Sequence, residues 1–140
     1  MVKKKKKINL TRFKADELLA KLIERAKIIN SAPDTQFTHT VNKLAVFGSY
    51  LTDKEKLGDL DIAVEIKGRW SRDNAQEFRE MLFKCEGINE DNSRTFMGRL
   101  FFPERKLMKF LKNRSTAISL HTWSEVEGGD FEHKVIFEKE

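Results

Sequence analysis

The chain has 140 residues, 39% hydrophobic and 35% charged, a composition that suits one globular domain with its own core. No stretch approaches the roughly 18 consecutive apolar residues of a membrane span, so no membrane contact is predicted. Lys3 to Lys7 supply five positive charges and so account for the whole net charge of +5, leaving residues 8 to 140 balanced.

Residues 1 to 8 therefore read as a disordered basic arm, and residues 9 to 140 as a single domain. The arm is a solvated tail whose functional alternative is a salt-sensitive attachment to nucleic acid. Ile8-Asn9-Leu10-Thr11-Arg12 follows the lysines where a signal peptide would have an apolar run. The one cysteine, Cys85, has no internal disulfide partner. Both features point to a cytoplasmic protein. Eleven phenylalanines predict a largely aromatic core.

In chain order, residues 14 to 30 read as a helix whose buried face is Leu18, Leu19, Leu22, Ile23, Ala26 and Ile29. Asp16 and Glu17 fall in its predicted first turn, where carboxylates favour the helix dipole. Ser31-Ala32-Pro33-Asp34 ends it. Lys43 to Phe47 is a short apolar run stopped by Gly48, as in a buried strand. Residues 50 to 58 read as a polar turn carrying the surface lysines Lys54 and Lys56. A second strand spans residues 59 to 66, with Leu60, Ile62, Val64 and Ile66 alternating onto one face.

Asp73, with Gln76 three residues on, predicts the N-cap of a helix running to about Cys85, burying Ala75, Phe78, Leu82 and Cys85. Pro103 predicts the first turn of a further helix carrying Leu107, Met108, Phe110 and Leu111. Before it, Phe96, Phe101 and Phe102 form an expected core-facing patch with Arg94, Arg99 and Arg105 solvated around it. Thr116 to His121 and His133 to Glu138 complete the strands, with Trp70 and Trp123 as packing residues. The fold class predicted is α/β (α+β): a small mixed β-sheet packed against helices.

Chemistry concentrates in residues 46 to 66. Gly48 lets backbone approach a ligand closely, and Ser49 adds a hydroxyl and an N–H, groups that suit a phosphate. Asp59 and Asp61, two apart on a strand, project from one face. Two adjacent carboxylates repel each other, and a divalent cation relieves that repulsion. Mg²⁺ suits such hard oxygen ligands when a nucleotide's phosphates complete its shell.

This arrangement resembles the nucleotidyltransferase signature of the DNA polymerase β superfamily, in which Gly-Ser is followed after about ten residues by Asp-x-Asp. It is similar to the minimal nucleotidyltransferases of bacteria and archaea. The resemblance implies a polymerase-β-like fold and attack by an acceptor on the α-phosphorus of a nucleoside triphosphate. Ser49 and the Gly48 backbone would hold the phosphates, and Asp59 and Asp61 the Mg²⁺ or Mn²⁺. The acceptor implied is a partner protein, an RNA or a small molecule, and minimal members often stand beside a small helical protein partner in toxin–antitoxin pairs.

Active members usually carry a third carboxylate, on a strand that reads apolar-Asp-apolar in the minimal enzymes. Ile118-Ser119-Leu120 stands at that place, with Ser119 where aspartate is expected. Three readings stay open. Glu65 shares a face with the aspartates but lies far along the strand, which suits a peripheral role. His121 shares a face with Ser119 and can act as a base or orient the acceptor, or be structural. In the third reading the site binds without efficient turnover, and the chain works as a module that contacts a protein partner or nucleic acid.

Overall fold

The computed structural model describes residues 10–70, 73–88, 94–128 and 131–139. The expected basic arm of residues 1 to 8 lies outside them. Strand β1 (Leu10–Thr11) leads directly into helix α1 (Arg12–Ser31), whose N-cap Thr11 accepts a hydrogen bond from the Lys14 amide. The helix begins two residues before the predicted start, so Asp16 and Glu17 are past its first turn. Asp16 serves instead as the acceptor for the Tyr50 hydroxyl, at 2.6 Å. Of the predicted buried face, Leu19, Leu22, Ala26 and Ile29 are buried, Leu18 and Ile23 are half-buried, and Ala15 joins them a turn earlier.

Strand β2 (His39–Phe47) is longer than the apolar run 43 to 47. A 3-10 turn (Gly48–Leu51) follows, then β3 (Lys56–Leu57) and β4 (Leu60–Gly68). The predicted polar turn thus contains a strand, because Lys56 and Leu57 pair antiparallel with Thr11 and Leu10. Helix α2 (Ala75–Lys84) is capped by Asn74, one residue later than expected, which accepts from the Glu77 amide. Its buried side chains are Met81 and Leu82, with Cys85 just beyond, whereas Ala75 is exposed.

Helix α3 (Phe96–Lys112) starts seven residues before Pro103, which lies inside it and not in its first turn. Its N-cap is Thr95, whose hydroxyl accepts from the Gly98 amide. Proline removes one amide donor from the helix interior, and nearby Arg105 donates its guanidinium to the Gly98 carbonyl at 3.3 Å. Strand β5 (Ile118–Thr122) begins two residues later than predicted, and helix α4 (Trp123–Glu127) and strand β6 (His133–Glu138) follow.

The main sheet has the order β5-β4-β2-β6, antiparallel except for the parallel β4–β5 pair. The α+β mixed-sheet class is therefore correct. Helices α1 and α3 cover one face, burying Leu44, Val46, Leu60, Ile62, Leu107 and Ile118 in one core. On the other face Ala45, Ala63 and Val126 form a small cluster beside Phe47 and Trp123. The core is aliphatic rather than aromatic: Phe13, Phe83, Phe96, Phe101 and Phe131 are exposed. The expected core-facing patch on α3 accordingly opens outward at Phe96 and Phe101. No helix among the described residues is long and apolar enough to cross a membrane.

Candidate functional site

Gly48 closes β2 and opens the 3-10 turn with φ of +74°, a left-handed conformation that glycine adopts at little cost. A β-carbon there would stand 2.6 Å from Oδ2 of Asp61. Glycine is therefore demanded twice, by the backbone angle and by the close carboxylate. Ser49 follows, with Oγ 3.5 Å from the Asp59 carbonyl, a long contact that a better acceptor can replace.

The turn is held from a distance of about forty residues in sequence. The Arg12 guanidinium donates to the carbonyls of Tyr50 at 2.9 Å, Thr52 at 2.6 Å and Lys54 at 2.8 Å. Thr52 closes the loop by donating its hydroxyl to the Ser49 carbonyl at 2.6 Å. Charged donors make the stronger kind of hydrogen bond. One side chain thus fixes the segment that presents Gly48 and Ser49.

Asp61 lies second in β4, paired with Phe47 of β2 on one side and Ser119 of β5 on the other. The parallel register puts Ser119 directly beside it, at the place where the sequence predicted the third strand's functional position. His121 brings Nε2 within 3.3 Å of Asp61 Oδ1 and 3.1 Å of Ser119 Oγ. Its Nδ1 lies 2.7 Å from Oε2 of Glu125, one turn along on α4, and the Phe47 ring meets the imidazole edge-on at 5.0 Å. With its proton on Nδ1, His121 donates to Glu125 and accepts the Ser119 hydroxyl at Nε2; doubly protonated, it donates to Asp61 as well.

Burial pushes the Asp61 carboxyl above its ordinary value, and the negative charge of Asp59 adds to that push. The hydrogen bond and charge of His121 pull in the opposite direction. A divalent cation beside the two aspartates would relieve both the burial and the repulsion. Among the described residues no group of three or more His, Cys, Asp and Glu side chains is gathered as a ready metal cage. Two carboxylates are nevertheless a fitting protein share for Mg²⁺, which keeps several waters and takes other ligands from substrate phosphates.

The fold thus brings together Gly48, Ser49, Asp59, Asp61, Ser119 and His121. Glu65 stands apart, four residues past Asp61, with its carboxylate taking the side-chain amide of Asn42. Lys54 and Lys56 are exposed, and Cys85 is buried with its thiol pushed up by desolvation. Two residues of the site were not anticipated. Glu125 could have been found from its i+4 spacing to His121, had the short α4 been predicted. Arg12 carries no local signal, since its partners are three distant carbonyls. No protein-family model, curated protein or solved structure matches this chain.

Proposed function

We propose that the chain is a metal-dependent nucleotidyltransferase of the polymerase β type, moving a nucleoside monophosphate from a nucleoside triphosphate to an acceptor. The observation that carries this reading is the contact between Gly48 and Asp61. It sets a bare glycine backbone and a serine hydroxyl against a pair of half-buried carboxylates. A phosphate chain and its counter-cation need those two surfaces side by side.

In this reading the Gly48 backbone and Ser49 hold the phosphates, while Asp59 and Asp61 hold Mg²⁺ or Mn²⁺. Such a cation, when bound, offsets the charge that develops on the attacking and departing oxygens. The acceptor oxygen bonds to the α-phosphorus, the bond from that phosphorus to the bridging oxygen breaks, and pyrophosphate leaves with the electron pair. The acceptor proton passes to Nε2 of His121, which Glu125 holds in place from Nδ1.

Pyrophosphate release tests this directly, measured for each nucleoside triphosphate with RNA ends, protein hydroxyls and small-molecule hydroxyls as acceptors. Asp59→Asn/Asp61→Asn should lower release by about two to three orders of magnitude, as loss of electrostatic stabilisation does. Release unchanged in that variant overturns the assignment.

One observation favours a second reading, a module that binds nucleotide without turnover. Ser119 stands beside Asp61 where a carboxylate would complete the site, and His121 already occupies Oδ1 of Asp61. Metal-dependent nucleotide binding without pyrophosphate release, converted to release by Ser119→Asp, is the result that selects it.

A further inference from the structure

Strand β4 runs nine residues, from Leu60 to Gly68, but β5 accompanies it only to the pair Val64 and Thr122. At Trp123 the chain turns off into α4. Among the described residues no strand lies beside residues 65 to 68 on that side, which leaves a short open edge of backbone donors and acceptors. An exposed edge of this kind is a template for an added strand.

The edge opens onto a groove of about 900 Å³ under α3, lined by Ile66, Phe101, Met108, Leu120 and Trp123. Arg105, Lys109 and Lys112 also line it, and their i, i+4, i+7 spacing makes them one stripe of the helix. None of these three cations has an ion-pair partner among the described residues. Of the two acids of the lining, Glu65 takes the side-chain amide of Asn42, and Glu104 lies 3.8 Å from Nε2 of the buried His39.

We infer that this groove docks an extended acidic segment of a partner protein. The segment's backbone pairs with residues 65 to 68, its apolar side chains enter the groove, and its carboxylates meet Arg105, Lys109 and Lys112. The charge of the stripe rejects the chain's own Lys3 to Lys7 arm as occupant. Single-stranded nucleic acid would satisfy the cations but wants free aromatic faces for its bases. Ile66, Met108 and Leu120 carry no ring, the Trp123 ring already meets Lys43 at 5.7 Å and His133 at 5.6 Å, and exposed Phe101 is a single ring where a run of stacked bases needs several. An alternating acidic and apolar peptide matches both the lining and the edge.

The groove is separate from the carboxylate site. Its lining reaches round the end of β5, with Ile66 and Leu120 on the helical side and Glu65 and Trp123 on the other, and Asp61, Ser119 and His121 are not part of it. The docking assignment therefore stands or falls independently of nucleotide transfer.

Selection from a random displayed library of about twelve-residue peptides on the full chain tests it. Enriched sequences should alternate apolar residues with Asp or Glu. A synthetic peptide of that sequence should slow amide exchange within residues 65 to 68. By fluorescence anisotropy it should bind the K109E/K112E protein at least roughly tenfold more weakly. Both substituted lysines are exposed, and circular dichroism checks that the variant folds. Methylating alternate peptide amides should remove binding. No enrichment, equal binding to the charge-reversed variant, or protection elsewhere overturns the assignment. So does an oligothymidine that displaces the selected peptide more tightly than the peptide itself binds.

Discussion

Gly48 and Asp61 are in contact across the β2–β4 junction, with the α-carbon of the glycine so near the carboxylate that a β-carbon would lie 2.6 Å from Oδ2. Gly48→Ala should therefore cost more than its backbone angle alone, which is worth about 1–2 kcal/mol for a left-handed residue. Part of the excess should disappear when Asp61→Ala is made in the same chain. A double-mutant cycle by urea unfolding reads this coupling. Strictly additive losses would mean that the two groups do not meet.

Asp61 should show the opposite sign. Its carboxyl titrates above its ordinary value because of burial and then Asp59, so the native chain binds its proton more tightly than the unfolded chain. The ionised group therefore weakens the fold increasingly as pH rises from the ordinary carboxylate value through the raised one. Asp61→Asn should raise the thermal midpoint at neutral pH, and the gain should fade toward low pH where the carboxyl is protonated in both states. Loss of metal-dependent nucleotide binding in that same stabilised protein would separate function from folding.

His39 supplies a second pH dependence, remote from the site. It is buried in β2, with Thr38 Oγ1 at 3.0 Å from Nδ1, and desolvation lowers it from 6.5 to about 4. Below pH 6.5 the unfolded chain takes up a proton that the native chain refuses. Stability should thus fall as pH drops from 6.5 to about 4, by at most about 3 kcal/mol. His39→Gln should flatten the stability curve in that window, measured as urea midpoints. Glu104, pushed up from 4.5 by burial, runs the other way just above 4.5, inside the same window, and should leave its slope in the variant.

Ser119→Asp should make the site more demanding of a cation. The new carboxylate would sit beside Asp61 in register and near Asp59, adding a third negative charge to one pocket. Without metal the variant should melt below the native chain at neutral pH. With Mg²⁺ and nucleotide it should recover and exceed the native chain's nucleotide-induced shift. A variant indifferent to metal would place the cation elsewhere.

Where local pattern and final packing agree, the sequence could be read. Leu19, Leu22, Ala26 and Ile29 announced α1, and Leu60, Ile62 and Val64 announced β4 by alternation. Gly48, Ser49, Asp59 and Asp61 were legible because one short segment holds them all. Ser119 and His121 were legible as positions, though only the parallel register shows that they adjoin Asp61.

The misread portions depend on distant partners. Residues 39 to 42 look polar, yet they extend β2 because Asn30 of α1 bonds both backbone groups of Val41, at 2.8 and 2.9 Å. That clamp sits at the register shift between Val41 and Lys43. Pro103 suggested a helix start, but the Thr95 cap sets the start seven residues earlier and the helix runs through the proline. The aromatic core failed because the space between sheet and helices is filled by Leu, Ile and Val, leaving several phenylalanines outside.

The most direct test of the nucleotide assignment is the thermal midpoint of the full chain with each nucleoside triphosphate. It is measured with and without Mg²⁺ or Mn²⁺, beside the Asp59→Asn/Asp61→Asn protein. Ligand at a hundred times its dissociation constant stabilises a fold by about 2.7 kcal/mol, several degrees for a domain of this size. A nucleotide site on the two aspartates gives an upward shift with at least one nucleotide that requires the metal and is absent from the double variant. No shift with any nucleotide, or an equal shift in both proteins, would contradict it.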